Sequence, residues 1–321
     1  MGMQLACVGN ALMDLIASVN MDFPTHFGIH PGSTIHMDRM RIQDIIDALP
    51  EAWLTAGGGA ANTAKIFCAL GGRASFVGAI GQDVFGDQYE NEMRRAGVDV
   101  YLQRRAVATG VFCALRDGAG RRSIVVDQGA ASSLELDKIP ASFYAVESIL
   151  YIDGFLAMSS GLLEGLILRA KSAGMKIAFD TGGHRLVSDN VALFSRIIRE
   201  DCAWSFLNED EFTTLVGTSV DAGLAAFSAE IPGVVVVKRA DAGAVCVSEG
   251  RLYESSVRPI DVVDETGAGD AFAAGFLYAA LSGVPLARCL RAGNWTAERA
   301  IQVPGMALDL NALRRGMATV L

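Results

Sequence analysis

Asp264-Glu265-Thr266-Gly267-Ala268-Gly269-Asp270-Ala271 opens an apolar run that carries on to Leu281. Glycines on either side of one small residue let the backbone pass close to a ligand. The free N–H groups at the start of a helix, with the positive end of its dipole, favour an anion there. A carboxylate directly after them is out of place in a plain phosphate cradle, because its charge opposes the anion. Asp270 makes sense as a base that takes the proton of a hydroxyl attacking that phosphate. The plainer alternative is an acid in a first helical turn, after glycines that permit a tight bend. Two other phosphate motifs are excluded. No G-x-x-x-x-G-K-[ST] occurs, and Gly267-x-Gly269 lacks both the third glycine and the place in a first strand–helix unit that dinucleotide binding needs.

Outward from this stretch the chain has a regular rhythm. Strand-like runs at 149–152, 177–179, 204–207 and 234–237 alternate with helical periodicity at 162–173, 191–199 and 210–216. Such alternation predicts a mainly parallel sheet with helices on both faces. Further helices are expected at 268–281, 286–300 and 311–320, and a hairpin at Glu249-Gly250. Near the N-terminus, strands at 5–8 and 74–80 and helices at 60–70 and 84–96 follow the same pattern, with glycines at 71, 72 and 97 as stops. Residues 14–37 and 98–128 break it. They alternate irregularly around Pro24, Gly28, Pro31-Gly32 and the turn Asp117-Gly118-Ala119-Gly120. The expected organisation is a doubly wound α/β domain of residues 1–13, 38–97 and 129–321. A small β-sheet lid of 14–37 and 98–128 would lie over the carboxyl ends of the parallel strands.

Composition narrows the class. With 321 residues, 51% hydrophobic and 20% charged, the chain can bury a large core, so disorder over most of its length is excluded. A net charge of −9 argues against nucleic acid or an anionic membrane surface as partner. The doublets Arg104-Arg105, Arg121-Arg122 and Arg314-Arg315 are too short to reverse that. The six cysteines are scattered without a CxxC pair, as in a cytoplasmic protein with reduced core thiols. No basic-then-apolar leader opens the chain. The longest uncharged run, 271–287, contains Pro285 and reads as a buried helix rather than a membrane span.

The stretch around Asp270 resembles the second signature of the ribokinase-like (PfkB) carbohydrate and nucleoside kinase family. Far upstream, Gly57-Gly58-Gly59-Ala60-Ala61-Asn62-Thr63-Ala64, followed by Gly71 and Gly81, resembles the first signature. The resemblance covers essentially the whole chain. It implies a phosphotransferase that uses ATP and Mg²⁺, with Asp270 as catalytic base and Gly267, Ala268 and Gly269 as the anion hole. Asn208-Glu209-Asp210-Glu211 resembles the N-x-x-E element, which implies that Asn208 and Glu211 support Mg²⁺ through water. By itself this segment is equally a good helix N-terminus. The resemblance further assigns Asn10, Asp14, Gly58 and Asn62 to the acceptor, whereas the local reading of Asn10 and Asp14 is an Asx turn and a solvated acid. Arg122 matches a basic lid position near phosphate or substrate; a solvated edge-strand arginine is the alternative. Lys238, Gly243 and Asn294 match the nucleotide-binding elements, although Ala240 stands where the family commonly has glycine.

His26, His30, His36 and His184 show no metal-ligand spacing. A monovalent cation (K⁺) near the anion hole and a homodimer through the lid are further implications of the resemblance. The acceptor is expected to be a small furanose-like sugar phosphorylated on a primary hydroxyl. The alternative is an adenosine-type nucleoside, with Phe23, Phe27, Met37 and Met40 either sandwiching a base or packing inside the lid. Gly59, without a side chain, leaves room for the bulkier ligand. A regulator that binds sugar or nucleotide without chemistry is the reading from another class, and an intact Asp270, Asn208 and Glu211 argue against it.

Overall fold

The computed structural model describes residues 4–49, 51–118, 121–144, 148–229, 231–306 and 308–321. In chain order the strands are β1 (Gln4–Val8), β2 (Leu12–Val19), β3 (Thr34–His36), β4 (Trp53–Gly57), β5 (Arg73–Gly81), β6 (Asp99–Arg105) and β7 (Gly110–Asp117). They continue with β8 (Arg122–Asp127), β9 (Ile149–Asp153), β10 (Lys176–Asp180), β11 (Trp204–Asn208), β12 (Val234–Lys238), β13 (Ala244–Ser248) and β14 (Arg251–Ser255). The helices that bear on the site are α1 (Arg39–Ala48), α2 (Gly59–Leu70), α3 (Val84–Arg95), α4 (Glu209–Val216), α5 (Ala268–Leu281), α6 (Leu286–Ala300) and α7 (Leu310–Val320).

Nine strands form one sheet in the order β14-β13-β12-β11-β10-β9-β1-β5-β6. It is parallel from β12 to β6, and β13 and β14 add an antiparallel edge. Its central strands are apolar on both faces. Leu5 and Cys7 pack under α2 and α5, while Ala6 and Val8 join the opposite layer with Phe179 and Leu207. Strand order reverses about β1: the chain goes to β5 on one side and to β9 on the other. A reversal of this kind opens a crevice at the carboxyl ends of the strands. The small residues of α5 allow it to approach α6 closely. A Cβ at Gly275 would stand 2.3 Å from the Thr296 hydroxyl.

A second sheet of five strands, ordered β3-β8-β7-β2-β4, is the lid. Its outer face is covered by Ile42 and Ile45 of α1, packed on Leu15, Ala17, Val111, Cys113, Leu115 and Val125. Here the expected boundaries need correction in three places, of which the first is α1, expected in the main domain but packed on the lid. Residues 99–105, assigned to the lid from their alternation, form β6 and pair in parallel with β5. They follow helix α3 and so complete a β-α-β crossover, a connection that favours the parent sheet. Conversely, 53–57 leave the main domain and pair antiparallel to β2 in the lid. The 111–127 hairpin is formed as expected, with positions 119 and 120 of its turn outside the described residues. Glu249 and Gly250 both have positive φ, 50° and 72°, the conformation of a tight two-residue hairpin. All six cysteines are free, five of them buried. Among the described residues no helix is long and apolar enough to cross a membrane.

Candidate active site

Gly267 ends the loop into α5 with φ 72°, a left-handed turn that glycine adopts without penalty. This turn puts Asp270 in the first turn of a helix whose body is buried. Asp270 faces α2, where Asn62 Nδ2 donates to its Oδ2 at 3.1 Å and the Thr63 hydroxyl reaches its backbone carbonyl at 3.3 Å. The two stretches expected to act together therefore meet directly. Loss of hydration pushes the Asp270 carboxyl up to about 7, although the Asn62 amide, Lys238 and Lys65 pull it down. A base with an affinity for protons near neutrality is suited to accepting one from a hydroxyl.

Two acids at the ends of parallel strands stand beside it. Asp153, the last residue of β9, is 4% exposed. It accepts from Ala60 N at 3.2 Å and Phe155 N at 3.1 Å. Burial and the charges of Asp270 and Asp180 push its carboxyl up to about 7. Gly59 is wedged between the two acids, for a Cβ there would lie 3.2 Å from Asp153 Oδ2 and 3.3 Å from Asp270 Oδ1. Asp180, at the end of β10, accepts from Lys238 Nζ at 2.8 Å. The same ammonium lies 3.1 Å from where a Cβ on Gly269 would be, so Lys238 places a cation against the glycine turn.

Asn208 and Glu211 form a complete capping box at the start of α4. Glu211 is 3% exposed; its Oε2 accepts from Asn208 N and the Thr181 hydroxyl, both at 2.7 Å, and its Oε1 from Asn208 Nδ2 at 3.0 Å. Burial pushes its carboxyl above the ordinary range, against the pull of Lys238. The segment caps the helix and brings a carboxylate near Lys238 and Asp180. The donor set suits Mg²⁺ only through its waters, because Oε2 is fully occupied and Oε1 keeps one lone pair. Among the described residues no three His, Cys, Asp or Glu side chains converge to hold a metal directly.

The residues that the family resemblance assigns to the acceptor lie on the lid and in the loop after β1. Asp14 is buried on β2, and its carboxylate fills the space beside Gly57, where a Cβ would be 2.0 Å from Oδ2. The Asn10 carbonyl closes on Gly58 in the same way. In the lid register Asp14 stands opposite Phe112, and Phe112 opposite Val126. Phe112 packs with Leu12, Ile124 and Val126 on the face away from α1. That face thus sets an apolar patch beside the Asp14 carboxylate, with Thr55 opposite Asp14 on β4 and Arg122 further along β8. Arg122 bridges lid and core, donating to the Thr266 hydroxyl at 2.9 Å, with Asp264 at 3.8 Å.

Gly243 and Asn294 meet at a separate point, Ser255, at the end of β14. Asn294 is 6% exposed rather than a surface residue; its Nδ2 donates to Ser255 O at 2.8 Å. Gly243, at φ 92°, passes so close that a Cβ would be 2.1 Å from the same carbonyl. Ala240 holds φ 46°, which explains why glycine suits that position and shows that the turn is kept without it.

Sequence reasoning missed Asp153, Asp180 and Lys65. The two acids carried a usable signal, since each directly follows an apolar strand whose end faces the crevice. Lys65 carried a weaker one, a lone cation inside an apolar helix. Phe23, Phe27 and Met37 lie with the outer lid cluster under α1, away from Asp14, which supports packing rather than contact with a base.

Comparison with known proteins agrees with this geometry. Residues 31–313 match the family model described as pfkB family carbohydrate kinase. Adenosine kinase from Saccharomyces cerevisiae is 28% identical over 326 residues, covering 94% of this chain and 95% of that protein. A solved structure of a probable sugar kinase from Rhizobium etli CFN 42 superposes with a TM-score of 0.89 at 26% identity, covering 100% of this chain and 99% of its own. Adenosine kinase from Sinorhizobium meliloti superposes with a TM-score of 0.88 at 25% identity, covering 98% and 99%. With its paired signature stretches meeting at Asp270 and with these relatives, the chain belongs to the pfkB family of carbohydrate kinases.

Proposed function

We propose that the protein transfers the γ-phosphoryl group of ATP to the primary hydroxyl of a ribose-bearing nucleoside of the adenosine type. The observation that carries the acceptor reading is the inner lid face, where Leu12, Phe112, Ile124 and Val126 form an apolar patch beside the Asp14 carboxylate. An apolar wall with one acid matches a ligand that is flat and apolar at one end and carries vicinal hydroxyls at the other. Similarity along the whole chain to adenosine kinases supports the same choice. A free furanose sugar is the second reading, favoured by Asp14, Asp153 and Asp270, which could accept several hydroxyls together.

In this mechanism Asp14 accepts hydrogen bonds from the sugar hydroxyls and holds the acceptor against the Gly57-Gly58 turn. Asp270, oriented by Asn62, removes the proton of the primary hydroxyl as its oxygen attacks phosphorus. The ADP oxygen leaves with the electron pair of the broken bond. The N–H groups of Gly267, Ala268 and Gly269, with Lys238 behind them, receive the charge on the phosphoryl oxygens. Asn208 and Glu211 would hold a hydrated Mg²⁺, which supplies charge neutralisation on the phosphates when bound. Gly243 and Asn294 shape the far end for the nucleotide base. The lid, docked through Arg122, limits water at the transferring group.

The test is ADP release with Mg-ATP against adenosine, inosine, cytidine, ribose, fructose and 2-keto-3-deoxygluconate. The proposal expects the largest kcat/KM with a purine nucleoside. A larger kcat/KM with a free sugar would replace it by the second reading.

A further inference from the structure

Ala56 and Gly57 end β4, an edge strand of the lid, yet three of their backbone groups are taken by side chains of core helices. Ala56 N donates to Glu92 Oε2 of α3 at 2.6 Å, and the Ala56 carbonyl accepts from Lys65 Nζ of α2. The Gly57 carbonyl accepts from the Tyr89 hydroxyl of α3 at 3.1 Å. Gln88 Nε2 fixes the other oxygen of Glu92 at 2.8 Å. A cation and an anion from two helices thus do for Ala56 what a neighbouring strand would do, and they close this edge of the lid. Directly above the braced residues lies the Asp14 carboxylate, seated where a Gly57 Cβ would be.

We propose that Lys65 is a positioning and specificity-determining residue, which holds the Ala56–Gly57 backbone beneath Asp14 and favours the ionised form of that carboxylate, the form that accepts from the acceptor's hydroxyls. The inference rests on the reading that Asp14 contacts the acceptor. Four charged groups act on Asp14 from the surrounding elements: Lys65 of α2 and Arg122 of β8 favour its charge, while Asp270 of α5 and Asp264 of the preceding loop oppose it. Burial pushes the Asp14 carboxyl up to about 7, and of the two cations Lys65 is the stronger counterweight. Arg122 is already engaged by Thr266 and Asp264. Burial pulls the Lys65 ammonium below its ordinary range, and the facing carboxylates Asp14, Glu92 and Asp270 oppose that shift. The Tyr89 phenol, buried and near the charges of Asp14 and Glu92, is held well above its ordinary range and stays a donor to Gly57.

The sign of the effect follows. Acceptor binding through an ionised Asp14 weakens as pH falls through its midpoint. Without the Lys65 charge that midpoint rises, so binding suffers at neutral pH and recovers at higher pH. The experiment measures acceptor KM and kcat at saturating Mg-ATP from about pH 6 to 9 in the whole protein, for wild type, Lys65→Gln, Lys65→Arg, Glu92→Gln and Asp14→Asn. Lys65→Gln, whose amide can still donate to Ala56, is expected to raise acceptor KM near pH 7 by about tenfold. It should also move the KM midpoint upward by about one pH unit. Lys65→Arg, which keeps the charge, should leave the midpoint in place, and Glu92→Gln, which loosens the brace and removes a carboxylate facing Lys65, should move it less than Lys65→Gln does. Lys65→Met repeats the measurement should the Gln variant not fold. If Asp14→Asn weakens the acceptor but the neutral Lys65 variant keeps the wild-type midpoint, the proposal for Lys65 is overturned, whatever its stability. If Asp14→Asn leaves acceptor KM unchanged, it is the acceptor reading that fails.

Discussion

The two sheets carry the site in different ways. The rim of the large sheet supplies Asp153 and Asp180 from the ends of the neighbouring strands β9 and β10 and Lys238 from β12, beyond β11, and α2 and α5 add Asn62 and Asp270 through one direct hydrogen bond. Every one of these groups is fixed by elements buried on both faces. The lid supplies Asp14 from a sheet with one face covered by α1 and the other turned to the crevice. Its ties to the core among the described residues include the brace on Ala56, Arg122 on Thr266, Arg116 on the Val263 carbonyl, Arg39 over Phe85, and Ile16 with Trp53 against Gly305. The contrast separates chemistry from recognition. Changes at the rim should act on kcat, and changes in the lid on acceptor KM.

The sharpest way to break that division is Asp270→Asn, which removes the base at nearly constant size. A fall in kcat of about 10³-fold or more is expected, with ATP affinity held within a fewfold in a binding titration. Turnover near wild type would remove Asp270 from its role. Gly59→Leu should come next, because its side chain must displace Asp153 or Asp270; a misplaced base costs on the order of a hundredfold in kcat. On the lid side, Asp14→Ala should raise acceptor KM by roughly tenfold to a hundredfold and leave ATP binding alone. If ATP binding suffers instead, the division is drawn in the wrong place. Arg122→Ala should raise acceptor KM only a fewfold, since it loses one half-exposed bridge.

The smallest effect is on stability. Asp14 and Asp153 have folded values of about 7, against unfolded values of about 3.9. Between these values the folded state holds protons that the unfolded chain has released, so stability falls as pH rises through that window. The free protein should be more stable at about pH 6 than at pH 8, by about 1 kcal/mol for each carboxyl. Asp14→Asn and Asp153→Asn should each flatten the dependence in thermal unfolding; a dependence of the opposite sign in wild type would show that neither acid is held protonated.

The same contrast governs how much could be read from the chain. The rim was legible because local signals agreed with the fold. The run 268–281 begins and ends as the helix does, and the glycine at 267 takes the left-handed turn its position demands. The lid was legible as a separate sheet but not in its strand membership. Residues 99–105 alternate, and alternation marks a strand without saying which sheet it joins, whereas 53–57 carry no strand signal of their own; the crossover through α3 decides the first and pairing with β2 the second. In the site, Asp270 and Asn62 were found because glycine-rich turns are locally distinctive. Lys65, Glu92 and Tyr89 were not, because their partners are backbone groups of Ala56 and Gly57, and no side-chain pattern records such a bond.

The central claim, transfer of phosphate to a primary hydroxyl of a nucleoside, is tested most directly by ³¹P NMR of a reaction with Mg-ATP and adenosine. The account predicts ADP together with a phosphomonoester resonance split by the two methylene protons of the 5′ carbon, both lost in Asp270→Asn. ADP with inorganic phosphate alone, or ATP left intact with adenosine but converted to ADP when a free sugar replaces it, would contradict it.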